Sequence, residues 1–208
     1  MAGLRVDPRS FDLGALAPAV AHLRAGGIVA LPTDTFYGLA VDPTQAAAVT
    51  RLFEVKGRAA TEALPLIAVS IEAVEQFGGA LSPLSARLAR QFWPGPLSLL
   101  VSAPGTIAPG VAGGTGAVAI RVPGHPVARA IAGLFGAPIT ATSANRSGEP
   151  PARRAVGLDR LGPEVFVVDA GETPGGLPST IVDARVNPPR LVRAGSVSWD
   201  RVLGSLVP

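Results

Sequence analysis

Apolar residues in this chain cluster into short runs, and between the runs they recur near every third or fourth position. The runs at 28–30, 65–69, 97–101, 117–123, 138–141, 165–169, 179–183 and 190–195 predict strands. Several show little polar alternation, as strands covered on both faces do. The segments 11–25, 43–55, 71–77, 82–92 and 126–135 predict helices. Their ends carry helix punctuation. Asp12 is available to the first turn, Pro43 and Pro83 suit first-turn positions, Ser70 and Ser82 suit N-caps, and Gly57 suits a stop. Trp93-Pro94-Gly95-Pro96 ends the fourth helix. Shorter helices are expected at 150–159 and in the tail at 197–208. The 103–116 stretch, rich in Gly, Pro and Thr, reads as a lid or a long loop. This alternation predicts an α/β fold, and with no internal repeat or inter-domain linker a single domain over 1–208 with a core over about 12–196 is expected.

Two runs end in polar turns. The first is Leu31-Pro32-Thr33-Asp34-Thr35-Phe36-Tyr37-Gly38-Leu39-Ala40, where Pro32, lacking an N–H, is expected to end pairing. The second, Thr142-Ser143-Ala144-Asn145-Arg146-Ser147-Gly148, packs three hydroxyls, an amide and a guanidinium beside a glycine. Either turn can be a capped or Asx-type loop, or a ligand contact at the end of a sheet. Two such units in one chain favour a shared site. Arg121 interrupts an apolar strand and needs an anion, from a ligand or from an internal salt bridge.

Composition narrows the chemistry. At 208 residues, 48% hydrophobic and with a mean hydropathy of +0.38, the chain can fill a sizeable core. No apolar run approaches the ~18 residues of a membrane span, so a cytoplasmic setting is expected. The absence of cysteine excludes disulfides and thiolate chemistry, and His22 and His125 alone do not make a histidine metal site. His22 reads as a surface or half-buried helix residue, and His125, at a helix N-terminus, as a capping or surface one. The net charge is +3, and the basic residues are seventeen arginines and one lysine, Lys56. A lone ammonium in so arginine-biased a chain suggests a place where a planar fork does not fit. With Arg58 it forms either a phosphate clamp or compensation for a helix C-terminus. The sequence carries no carboxylate pair, no Ser–His–Asp set and no G-x-x-x-x-G-K-[ST] loop. The inventory suits binding and orienting anions, with catalysis by positioning and charge stabilisation.

Five segments, in order, carry a resemblance. They are the PTDTFYGLA turn, KGR followed by PLI, FWPGPLSLL, VAIRVPGHP, and TSANRSGEPP with the later PSTIVD and LVRAG. The chain resembles the YrdC/Sua5 family, the threonylcarbamoyl-AMP synthases of tRNA modification, in its short form. The resemblance implies a twisted mixed α/β fold with a basic concave cleft. It implies an enzyme, a nucleotidyltransferase, that forms L-threonylcarbamoyladenylate and pyrophosphate from L-threonine, bicarbonate and ATP. Mg2+ is expected to accompany ATP, and no organic cofactor is expected. Separate transferase proteins would carry the group to tRNA as t6A, and direct contact with tRNA is allowed. The resemblance places threonine at Thr35, Arg121, Ala141 and Ser179. It places ATP at Lys56, Arg58, Ala117, Ser143, Asn145, Pro151 and Arg193, with Lys56 and Arg58 stabilising charge rather than acting as nucleophile or base.

One segment departs from the family pattern. Ala59 stands where a proline is usual, the 59–64 loop is longer, and Val69 falls where the family has a threonine-contacting histidine. Loss of one such bond costs about 0.5–1.5 kcal/mol, so the amino-acid preference stays open; Glu62 or Thr61 are possible replacements. The competing function class is an RNA-binding module of the same fold without synthase activity. A third, a carbamoyl-transferring relative inside a larger hydrogenase-maturation enzyme, lacks its zinc-finger and acylphosphatase segments here.

Overall fold

The structure, a computed structural model, describes residues 3–57 and 62–207. Arg58, Ala59 and Thr61 therefore lie outside the described residues. In chain order the elements are β1 (Gly3–Arg5), α1 (Ala17–Arg24), β2 (Ile28–Pro32), β3 (Tyr37–Ala40), α2 (Ala46–Lys56), β4 (Leu66–Ile67), α3 (Ile71–Gly78) and α4 (Pro83–Phe92). There follow β5 (Leu97–Ser102), β6 (Ala117–Arg121), α5 (Pro126–Phe135), β7 (Ile139–Thr140), β8 (Thr142–Ser143), β9 (Val165–Asp169), β10 (Thr180–Asp183), β11 (Arg190–Arg193) and α6 (Trp199–Gly204).

The mixed α/β class holds, with the strands shared between two sheets. One has the order β1-β9-β2-β3-β8 and the other β11-β10-β5-β6-β4-β7, each combining parallel and antiparallel pairs. The sheets meet at Ala141. β7 pairs with β4 in the second sheet, and β8, one residue later, pairs with β3 in the first. Ala141 between them donates its N–H to Pro65 O at 2.8 Å, and Thr140 Oγ1 accepts from Val41 N at 2.9 Å.

Helix ends follow local chemistry. Ser70 Oγ accepts from Ala73 N and Ser82 Oγ from Ser85 N, each supplying an acceptor to a first-turn donor. Gly57 closes α2 in the left-handed region at φ 60°, where a side chain would be strained. The larger apolar cluster gathers β3, α2, β5, β6 and α4 around Leu52, Phe53, Leu66, Leu99 and Ile120. The smaller one seats α1 and α5 against β2 through Leu23, Leu31, Val127 and Ile131. The single tyrosine, Tyr37, is fully buried. Its hydroxyl donates to Gly171 O at 2.7 Å and accepts from Ala170 N at 3.2 Å.

Three expectations are corrected. Pairing does not end at Pro32. It runs on as a β2–β3 hairpin in register Pro32↔Tyr37, because Thr33 Oγ1 and Thr33 N both bond Phe36 O and close a four-residue turn. The 150–159 stretch is not a helix. Pro150 and Pro151 offer no N–H, Gly157 turns left-handed at φ 83°, and a 3-10 turn follows at Leu158–Leu161. The strand expected at 138–141 is cut to two residues before Ala141 and resumes in the other sheet.

Candidate active site

The ends of both sheets open onto a cleft of about 850 Å³. From the first sheet come Thr33, Thr35, Phe36 and Gly38 of the hairpin, and Thr142 and Ser143 of β8. From the second come Leu66 and Ile67 of β4, Arg121 at the end of β6, Ser179 at the head of β10, and Arg193 at the end of β11. Ala141, Pro151 and Pro178 complete this part of the lining.

Arg121 is held on two sides. Its Nη1 stands 2.9 Å from Asp34 Oδ1, with the two side chains 8% and 15% exposed. Its Nη2 lies 3.3 Å from Thr33 Oγ1 and 3.5 Å from Thr35 Oγ1, which are themselves 3.1 Å apart. Both readings of Arg121 therefore have a place: an internal partner behind it, and a face toward the cleft. The ion pair is close but not collinear, and neither Asp34 oxygen completes an aligned hydrogen bond. Burial pulls the Arg121 pKa down, and the Asp34 charge opposes that pull.

Arg193 is fixed by Ser179. Its Nη2 donates to Ser179 O at 2.7 Å and to Ser179 Oγ at 3.0 Å, and Ser98 Oγ lies 3.1 Å from Ser179 Oγ. Burial lowers the Arg193 pKa, and the nearby positive charge of Arg121 lowers it further. Two guanidinium groups are thus held within range of mutual repulsion, among hydroxyls, in one cavity. An anion entering between them relieves that repulsion. Glu62 is the one carboxylate among the described lining residues.

Lys56 stands one layer back. It is 2% exposed, does not line the cleft, and its Nζ donates to Ser143 O at 2.6 Å and Asn145 O at 3.0 Å. Asn145 Oδ1 accepts from Ser143 Oγ at 2.5 Å, and its amide donates to Glu149 O at 2.6 Å. The ammonium therefore moulds the turn that presents Ser143. With Asn145 Oδ1 3.4 Å away as a third acceptor, a planar guanidinium would not fit so small a point, which accounts for the lone lysine.

Of the residues expected at the site, Thr35, Arg121, Ala141, Ser143, Pro151, Ser179 and Arg193 converge on the cleft, and Lys56 and Asn145 support its wall. Ala117 does not join them. It sits at the other end of β6 from Arg121, paired with Ser102. Arg58 lies outside the described residues. Val69 does not line the cleft; it packs against Gly133 of α5. Sequence reasoning missed Thr33 and Thr142. Both belong to the quoted turns, and the buried state of each hydroxyl singles it out. His125 begins α5 without capping it. Burial depresses its pKa, with the charge of Asp34 opposing and Arg129 adding to the shift. His22 is structural, Nε2 lying 3.0 Å from Glu164 O and the ring against Phe166.

Among the described residues no helix is long and apolar enough to cross a membrane, and no group of three or more His, Cys, Asp or Glu could hold a metal ion.

The Sua5/YciO/YrdC family model, described as telomere recombination, matches residues 21–195. A Thiobacillus denitrificans protein named threonylcarbamoyl-AMP synthase is 42% identical over 78% of this chain and 87% of its own length. A Bacillus subtilis protein of the same name is 36% identical over 90% of this chain, which spans only 55% of that relative. The crystal structure of Pyrococcus abyssi Sua5 complexed with L-threonine superposes with a TM-score of 0.90 at 32% identity, covering 99% of this chain and 60% of that one.

Proposed function

This chain belongs to the Sua5/YciO/YrdC family, and from that premise we propose that it is a threonylcarbamoyl-AMP synthase, making L-threonylcarbamoyladenylate from L-threonine, bicarbonate and ATP. The observation that carries the reading is the meeting of two guanidinium groups, buried Arg121 and more exposed Arg193, in one cleft lined by hydroxyls. Such a site calls for two anionic groups side by side, and an amino acid beside a nucleotide triphosphate supplies them.

In this reading the threonine carboxylate docks on Arg121, with Thr35 and Ser179 beside it and the backbone at Ala141 beneath. The amine, freed of a proton, adds to CO2 from bicarbonate and forms an N–C bond, giving a carbamate. A carbamate oxygen attacks the α-phosphorus of ATP, the bond to the β-phosphate oxygen breaks, and pyrophosphate leaves. Arg193 and the Ser143 turn stabilise charge gathering on the phosphate oxygens, a task for fixed donors rather than a nucleophile. Arg58 is assigned to the same phosphates. Mg2+ enters as part of the nucleotide substrate, held by its phosphates, since the described lining residues offer it a single carboxylate. The product would pass, in the cytoplasm, to a separate transferase that modifies tRNA.

The test is pyrophosphate release measured with each substrate omitted in turn. Release that requires threonine, bicarbonate and ATP together supports the reading. ATP turnover indifferent to amino acid, or RNA binding with no turnover, refutes it.

A further inference from the structure

The hairpin turn divides its side chains between two sides of Arg121. Thr33 and Thr35 line the cleft and lie within 3.5 Å of Arg121 Nη2. Asp34, between them, does not line the cleft; it meets Nη1 from behind at 2.9 Å. Its own surroundings close it in. A Cβ on Gly124 would stand 3.2 Å from Asp34 Cβ and 3.3 Å from its Oδ2, so Gly124 comes close against this side chain. Among the described residues His125 Nδ1 is buried without a hydrogen-bond partner, as are both Asp34 oxygens. Among the described residues no hydrogen bond anchors this carboxylate, and its one ion pair is the approach to Arg121.

We propose that Asp34 is a positioning residue for Arg121: it fixes one guanidinium nitrogen from the rear, so that the remaining donors face the cleft in a set direction and receive the substrate carboxylate. This rests on the proposed function for the identity of the ligand, but not for the geometry. A guanidinium with one edge pinned loses little freedom on binding, and a planar fork aimed at a carboxylate is worth far more than one that must first be oriented. Asp34 touches no substrate in this scheme and acts through Arg121.

The test compares the unmodified protein with Asp34→Asn and Asp34→Glu, using two readouts. The first is steady-state synthesis with threonine, and competition by threoninol, which has the amine and hydroxyl but no carboxylate. Asp34→Asn is expected to raise the KM for threonine about tenfold or more, as for a charge-assisted bond lost to misalignment. The KM for ATP should stay within about twofold, and threoninol should bind as before, so that discrimination between the two ligands shrinks. The second readout needs no substrate. Nitrogen NMR of the Arg121 guanidinium, assigned by its loss in Arg121→Lys, should show restricted rotation in the unmodified protein, averaging in Asp34→Asn and partial recovery in Asp34→Glu.

A guanidinium still fixed in Asp34→Asn, or an unchanged threonine KM, overturns the proposal. So does an equal loss of threonine and ATP binding, which marks a purely structural residue. If the unmodified protein takes no threonine at all, the synthase reading fails and the NMR comparison alone decides the role of Asp34. If Asp34→Asn does not fold, a freely rotating Arg121 in the unmodified protein, or one unaltered in Asp34→Glu, overturns it.

Discussion

The ammonium of Lys56 donates to the backbone oxygen of Ser143 across 2.6 Å, tying the end of α2 to a turn 87 residues away. Lys56→Ala should therefore loosen the wall of the cleft as well as remove a charge. Three acceptors would lose a charged donor in a buried place, and a cost of about 1.5–3 kcal/mol is expected. At roughly 2–4 °C per kcal/mol for a chain of this size, the melting temperature should fall by several degrees. Lys56→Arg should fall too, since the larger head cannot reach the same three points. A thermal melt indistinguishable from the unmodified protein in either variant contradicts this role.

Arg121→Met leaves Asp34 buried and unpaired, an arrangement that typically costs about 3–5 kcal/mol. The double variant Arg121→Met, Asp34→Leu should recover much of that loss, because it removes both charges. Pyrophosphate release should not return with it. Chemical denaturation of the two variants, beside the activity assay, separates stability from function. A double variant no more stable than the single one would show that the pair does not interact.

Tyr37, the single tyrosine, has a pKa raised to about 12 by burial first, with the Asp169 charge adding to it. An absorbance titration should show no tyrosinate near pH 10 in the folded protein. The sign follows from the raised value. The unfolded chain gives up this proton near pH 10 while the folded one keeps it, so the stabilisation is complete below pH 10. It is lost between pH 10 and 12 at about 1.4 kcal/mol per pH unit. A tyrosinate signal that appears near pH 10 before unfolding would refute the buried environment.

Gly195 abuts the site's own backbone. A Cβ there would collide with Pro178 O and come within 2.6 Å of Ser179 C. Gly195→Ala should push the 178–180 segment away, displacing the acceptors that hold Arg193. An overpacking cost of about 1–3 kcal/mol is expected, together with a turnover loss out of proportion to it. Gly148→Ala provides the comparison: its left-handed φ of 86° carries backbone strain, but no neighbour crowds the added carbon. Equal turnover in the two variants would argue against Gly195 as a spacer for the site.

Helices with side-chain caps were legible because the signal is local: Ser70 and Ser82 each bond a donor three residues on. The need of Arg121 for an anion was legible from its apolar strand, whereas its partner was not, since Asp34 is brought to it by tertiary folding. β3 was hidden because Pro32 and the three polar residues after it look like the end of pairing, while the bonds that close the hairpin run from Thr33 to Phe36. β1, three residues long and largely exposed, has no hydrophobic signature. Lys56 was legible as a place for a compact ammonium, but not its role behind the cleft wall, since its burial depends on the distant 143–145 turn. The convergence of the quoted motifs on one cleft followed from their common place at strand ends, which the alternation of elements did reveal.

The passage of the chain at Ala141 from one sheet to the other makes the cleft a seam, with Ser143 and Thr35 on one lip and Arg121, Ser179 and Arg193 on the opposite one. A molecule gripping both lips acts as a clasp. Its binding energy then resists the parting of two layers as well as its own release, and saturating both halves of the cavity should raise the unfolding temperature beyond what filling either half achieves.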